Sequence, residues 1–136
     1  MNLKRIGLSA AAVFAAMFAV EMLTHEVLLK GLYLQTASVW RPAEQMEGFM
    51  GCLMLSYLFY SVFFPVIYAK GYESGKPGVG QGIRFGILMG LLEAPMGALT
   101  WYSVLPIPAA LALGWLAGGL VLNVVLGVVV GLIYRP

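Results

Sequence analysis

The chain has 136 residues, 61% of them hydrophobic and 10% charged, with a mean hydropathy of +0.89. A soluble domain carries about a quarter charged residues, so this surface is not built for water, and the length suits one membrane domain of short spans. A net charge of +2 without a basic stripe excludes nucleic acid as a partner, and Cys52, the single cysteine, excludes an intrachain disulfide or a thiol–metal cluster.

The opening stretch "MNLKRIGLSAAAVFAAMFAVEM" has the basic start, apolar centre and small residues of a signal peptide. Its helical pattern continues past Glu21, which favours a retained anchor. Four apolar segments are predicted helices: 5–32, 48–69, 82–102 and 109–134, the last without a charge. Each exceeds the ~20 residues that cross ~30 Å of hydrocarbon. Helices are expected because a lipid-exposed backbone must satisfy its own hydrogen bonds, and the alternation of a membrane barrel is absent. The expected fold is an all-α integral membrane protein, a bundle of four transmembrane helices forming a single domain over 1–136.

An even number of spans puts both termini on one side. With that side cytoplasmic, Lys4, Arg5, Lys70, Lys76, Arg84 and Arg135 lie inside, and Lys30 and Arg41 outside. The positive-inside rule therefore gives cytoplasmic termini. Trp40, Trp101 and Tyr102 then fall at the outer interface, and Tyr68, Tyr72 and Tyr134 at the inner one, where amphipathic rings settle. In the outer segment "YLQTASVWRPAEQMEG", Pro42 suits a first helical turn, and Glu44 and Glu47 complement its positive end. The inner segment "KGYESGKPGVGQG" reads as a mobile glycine-rich loop. Its Gly71-to-Gly75 spacing is too short for a phosphate loop, and Pro77 follows Lys76.

Gly82, Gly86 and Gly90 repeat every fourth residue, and Gly97 lies on nearly the same face. The fourth span repeats the spacing at Gly114/Gly118 and Gly127/Gly131. Missing side chains let helix backbones approach closely, so these glycines predict tight packing of the third and fourth spans.

Glu93 lies near mid-membrane on this glycine face, two residues before Pro95, which cannot donate to the Leu91 carbonyl and predicts a kink. A charge there costs roughly 2.5–3.5 kcal/mol on insertion scales. Glu93 is therefore expected to be neutral and turned inward, as structural glue or as a functional group. Glu21 and His25 stand four apart on one helical face, and Glu26 reaches Lys30 by the same spacing. One reading is an interfacial cap. The other is a candidate polar pocket of Glu21, His25 and Glu93, with Tyr57 and Ser61 beside it, that could shuttle a proton. A defined metal site usually needs more ligands than these, so none is expected. Asn123 reads as an interhelical hydrogen bond.

The runs "THEVLLKGLYLQTASVWRP", "KGYESGKPGVGQGIRFGILMGL", "VLPIPAALALGW" and "IYRP" resemble a group of small four-helix bacterial inner-membrane proteins of no assigned activity. The resemblance covers residues 25–136 and implies a multi-pass protein of the bacterial inner membrane. It implies no cofactor and no catalytic residue. Three function classes follow from the residues. The first is a non-catalytic subunit or assembly partner in a membrane complex, in contact with lipid and with copies of itself or other subunits. The second is a small proton-linked transporter or ligand-binding protein using Glu93, Glu21 and His25. An enzyme ranks last, because no catalytic triad, metal cluster or cofactor fingerprint is visible.

Overall fold

The computed structural model describes residues 2–136. Helix α1 (Leu3–Met22) starts on Asn2, whose side chain accepts the Arg5 backbone N–H at 3.2 Å, satisfying a donor that has no partner within the first turn. The chain continues as a π-helical segment, Leu23–Leu28, then α2 (Lys30–Gln35), a 3-10 turn (Ala37–Val39) and α3 (Ala43–Glu47). Three long helices follow: α4 (Met50–Lys70), α5 (Gly78–Val104) and α6 (Ala109–Ile133). No strand occurs among the described residues. Four helices, α1 with its π extension, α4, α5 and α6, are long and apolar enough to cross a membrane.

The π segment alters the expected register beyond Met22. The Leu29 N–H bonds to the Thr24 carbonyl at 2.9 Å, a five-residue step that widens the turn. Glu26 and Lys30 consequently form no ion pair, because the spacing that aligns them on an α-helix is lost here. Glu21 and His25 lie at its start and stay together.

Helices α5 and α6 pack along their backbones. Gly78 faces Gly131, Gly82 faces Gly127, and Gly86 faces Asn123; a Cβ on any of these three glycines would strike the opposite main-chain oxygen. Close approach gives the dispersion contacts that hold helices together where lipid offers no hydrophobic drive. The α5 contact row continues through Gly90, Ala94 and Ala98, all buried. Steps of four residues advance ~40° around a helix. At the height of Gly97 the row has therefore moved on to Ala98. Gly97 is a correction to the expected packing set: it has no neighbour within 4 Å of its would-be Cβ. Gly114 and Gly118 need a second correction. They face not α5 but the end of the first span, where they receive the side chains of Leu29 and Thr24.

Helix α1 packs between α4 and α6. Val13 and Met17 join Phe64 of α4 and Leu126 and Val130 of α6 in one buried cluster. The lateral order is α4, α1, α6, α5. Helices α4 and α5 meet where Phe85 stacks edge-on against Phe64 and Tyr68, with centroids 4.8 and 5.5 Å apart. Farther from the termini they diverge, and Leu53, Leu55, Leu58 and Phe59 of α4 stand exposed.

The connection between α4 and α5 is shorter and better tied than its glycines suggest. Helix α5 begins at Gly78, where burial against Gly131 outweighs the low helix propensity of "GVGQG". The buried Gln81 side chain accepts the Glu73 N–H at 2.8 Å and donates to the carbonyls of Glu73 (3.0 Å) and Lys76 (3.1 Å). The Tyr68 hydroxyl donates to the Gly78 carbonyl at 3.0 Å. Arg84 and Lys76 both pair with the Glu73 carboxylate, and these hydrogen bonds, Lys76 first, hold its carboxyl below the usual carboxylate range.

Candidate functional site

A crevice runs along α6 on its side away from the termini, between α1 and α5. Its outer chamber, about 360 Å³, is walled by Glu21, His25, Tyr33, Trp40, Trp101 and Trp115. A smaller chamber of about 190 Å³ continues inward to Glu93 and Asn123. Glu21, Trp101, Trp115 and Gly119 line both, so the two are neighbouring parts of one cleft. Gly118 and Gly119 keep the α6 floor flat, and Gly97 opens the α5 wall opposite.

The outer chamber contains a chain of four polar groups. The His25 Nε2 lies 3.0 Å from Glu21 Oε2, and its Nδ1 lies 2.5 Å from the Tyr33 hydroxyl. The Trp115 indole N–H donates to the same hydroxyl oxygen at 2.6 Å. An indole can only donate. The Tyr33 oxygen accepts from Trp115, which leaves the Tyr33 proton to be given to His25 Nδ1. The imidazole then carries its one hydrogen on Nε2 and donates it to Glu21. This assignment gives every contact one donor and one acceptor. Burial pushes the Tyr33 phenol above its ordinary range, and the Glu21 and Glu26 carboxylates act in the same direction, so Tyr33 keeps the proton the chain requires.

The aromatic walls support one another. Tyr33 and Trp40 meet edge to face at 5.4 Å, Trp40 and Trp115 at 6.1 Å, and Tyr33 and Trp115 lie tilted at 6.4 Å. The Trp40 indole N–H donates to Thr36 Oγ1 at 2.9 Å. Sequence reasoning placed Trp40 and Trp101 at an interface and did not single out Tyr33 or Trp115. The residues between positions 25 and 40 bring them together, because the π segment and α2 fold back over the end of α6. Leu29, Ile107 and Leu111 form the small buried cluster beneath.

At the inner end the groups form a triangle. The Tyr60 hydroxyl lies 2.7 Å from Glu93 Oε2 and 2.5 Å from Asn123 Oδ1. Asn123 Nδ2 donates to Glu93 Oε2 at 3.1 Å and to the Gly119 carbonyl at 2.9 Å. The Gly119 carbonyl can only accept, which fixes the orientation of the Asn123 amide. Tyr60 has one proton for two acceptors. Both acceptors lie within its reach, and with the Asn123 amide donating to Glu93 the three side chains tie α4, α5 and α6 together.

Glu93 does not lie within the α5–α6 seam. At its height the contact row is centred on Ala94, one residue and ~100° further round the helix. Glu93 is left exposed on the flank of α5, not enclosed by the bundle as expected, with its carboxyl turned to Tyr60 and Asn123. Glu21, His25 and Glu93 therefore occupy one crevice as two separate polar groups. Among the described residues no three carboxylate, imidazole or thiol side chains gather closely enough to hold a metal ion. Tyr57 packs against the buried cluster and lines neither chamber. Ser61 is buried and donates to the Leu58 carbonyl at 2.9 Å, within its own helix. Tyr60, one residue before Ser61, is the α4 hydroxyl that reaches Glu93. Asn123 makes the interhelical hydrogen bond its position in a charge-free helix suggests.

No family model, curated protein or solved structure matches the chain.

Proposed function

We propose that this protein is a small proton-linked transporter or ligand-binding protein of the bacterial inner membrane, with both termini cytoplasmic. The observation that supports the reading is the Glu93–Tyr60–Asn123 triangle at the inner end of a crevice, a set of contacts that a protonated Glu93 would complete with one proton on each edge. A carboxyl that holds a proton in an apolar bundle, and is reachable from a cavity, is poised to exchange it. The Glu21 carboxylate at the wider end gives an incoming molecule or proton a first place to stop. The six-to-two distribution of basic residues supports the orientation, which makes the crevice open toward the outer face.

An assembly role rests on a different observation, the exposed apolar half of α4 around Leu55, Leu58 and Phe59. Lipid chains cover such a surface equally well, so the crevice gives the transporter reading the stronger support.

The test is uptake into proteoliposomes with an imposed proton gradient, across a panel of small amphipathic compounds. At least one compound should accumulate, and Glu93→Gln should reduce its uptake to that of protein-free vesicles, because an amide cannot titrate. Equal uptake by the variant would refute proton linkage at Glu93.

A further inference from the structure

Resting on the reading of the crevice as a ligand site, we propose that its outer chamber selects small organic cations, an ammonium group carried on an apolar body. The argument is an inventory of what the chamber can offer. Its walls are chiefly aromatic: Tyr33, Trp40, Trp101 and Trp115, which include all three tryptophans of the chain. Aromatic faces attract cations through the ring quadrupole, tryptophan most strongly. Glu21 is the one carboxylate lining the chamber, and no lysine or arginine lines it.

Four of the donors that could hold an anion are already committed. The His25 N–H goes to Glu21, the Trp115 N–H to Tyr33, the Tyr33 hydroxyl to His25, and the Trp40 N–H to Thr36. The Thr24 hydroxyl and the Trp101 indole N–H are neutral and face the chamber without a partner among the described residues. A carboxylate or phosphate entering here would meet Glu21 and no counter-charge. The adjacent cation of the chain is held away: Arg41, next to Trp40, stacks over the Phe49 ring, 3.9 Å from its centroid. An anionic group among aromatic faces, without a competing lysine or arginine, is the complement of an organic cation. The chamber volume of about 360 Å³ lies at the small end of the ~300–1,000 Å³ usual for ligand sites, which limits the cation to a body of one or two rings.

Because every tryptophan lines the chamber, tryptophan fluorescence of the purified full chain, excited selectively over tyrosine, reports on it. The probes are benzyltrimethylammonium, its neutral isostere neopentylbenzene, and benzylsulfonate, each titrated at matched aqueous activity. The cation should shift the fluorescence saturably and bind about tenfold more tightly than the neutral isostere, the ratio that a combined ion-pair and cation–π gain supports. Benzylsulfonate should not bind. Glu21→Gln should bring the cation to parity with neopentylbenzene. Trp101→Leu, which breaks no hydrogen bond, should weaken the cation selectively and provides a second variant independent of the His25 chain. Equal affinity for cation and isostere, or preference for the sulfonate, would overturn the cation inference while leaving a ligand site in place. Saturation by none of the three probes would overturn both.

Discussion

Tyr60 and Glu93 stand 33 residues apart, on two helices that diverge along this half of their length, yet their oxygens lie 2.7 Å from one another. Asn123 of α6 completes the contact from beneath. A half-buried tyrosine hydroxyl and a buried amide that face a carboxyl across a helix gap form a polar unit with few alternatives in lipid.

Removing the carboxyl tests that unit. Glu93→Leu leaves Tyr60 and Asn123 each short of a partner and should lower stability by about 1–3 kcal/mol. Glu93→Gln keeps the shape but cannot donate and accept at one atom, so about 1 kcal/mol is expected. Thermal melting in mild detergent should rank wild type above Gln and Gln above Leu. Equal melting of the two variants would mean that the triangle does not bear on stability.

The α5–α6 seam gives a sharper contrast. Gly82→Ala places a methyl against the Gly127 carbonyl, and main chain cannot rotate aside, so a loss of about 1–3 kcal/mol or more is expected. Gly80→Ala, two residues away in the same helix, meets nothing within 4 Å and should be neutral or slightly stabilising. A common melting temperature for both would remove the close-approach argument.

The spans and the glycine row were legible in the sequence because each depends on a repeated property: hydropathy over a long window, or small residues at every fourth position. The crevice was less so. Gly97 and Glu93 read as members of the glycine face, but a four-residue row drifts around the helix and has passed both by their height. Tyr60, Tyr33 and Trp115 gave no periodic signal, since an aromatic residue in an apolar helix looks like any other core or lipid-facing side chain. Tyr33 and Trp115 meet only once the π segment at Leu23–Leu28 has turned the chain back over α6, and Tyr60 finds its partners only when α4, α5 and α6 are packed. That wider turn has no mark in composition. The loop before α5 reads as mobile from its glycines, whereas one buried side chain, Gln81, ties three of its main-chain groups.

Gln81→Leu should therefore open that loop. Hydrogen exchange at residues 73–78 should accelerate strongly, while exchange in α6 stays slow. The Glu73 contacts add a pH dependence. Its carboxyl is held below the ordinary range by Lys76 and Arg84, so the stabilisation is present above the unfolded carboxylate range and is lost as pH falls through the lowered folded value. Protection of the loop amides, corrected for the intrinsic pH dependence of exchange, should fall on acidification through that range, and Glu73→Gln should abolish the change. An acid-independent loop would show that these exposed pairs contribute nothing.

The orientation of the chain is checked by impermeant thiol labelling in intact cells. With the exposed Cys52 replaced, a cysteine at Ser38 should be labelled and one at Ser74 protected. Labelling confined to position 74 would invert the crevice, opening it to the cytoplasm.

The protonation state of Glu93 is most directly measured by infrared spectroscopy of the purified protein at neutral pH. Wild type should show a carbonyl stretch of a protonated, hydrogen-bonded carboxyl that is missing from Glu93→Gln and displaced in Tyr60→Phe. Wild-type and Glu93→Gln spectra that are identical in the protonated-carboxyl region, with the change confined to carboxylate bands, would show Glu93 ionised and the proton-closed triangle wrong.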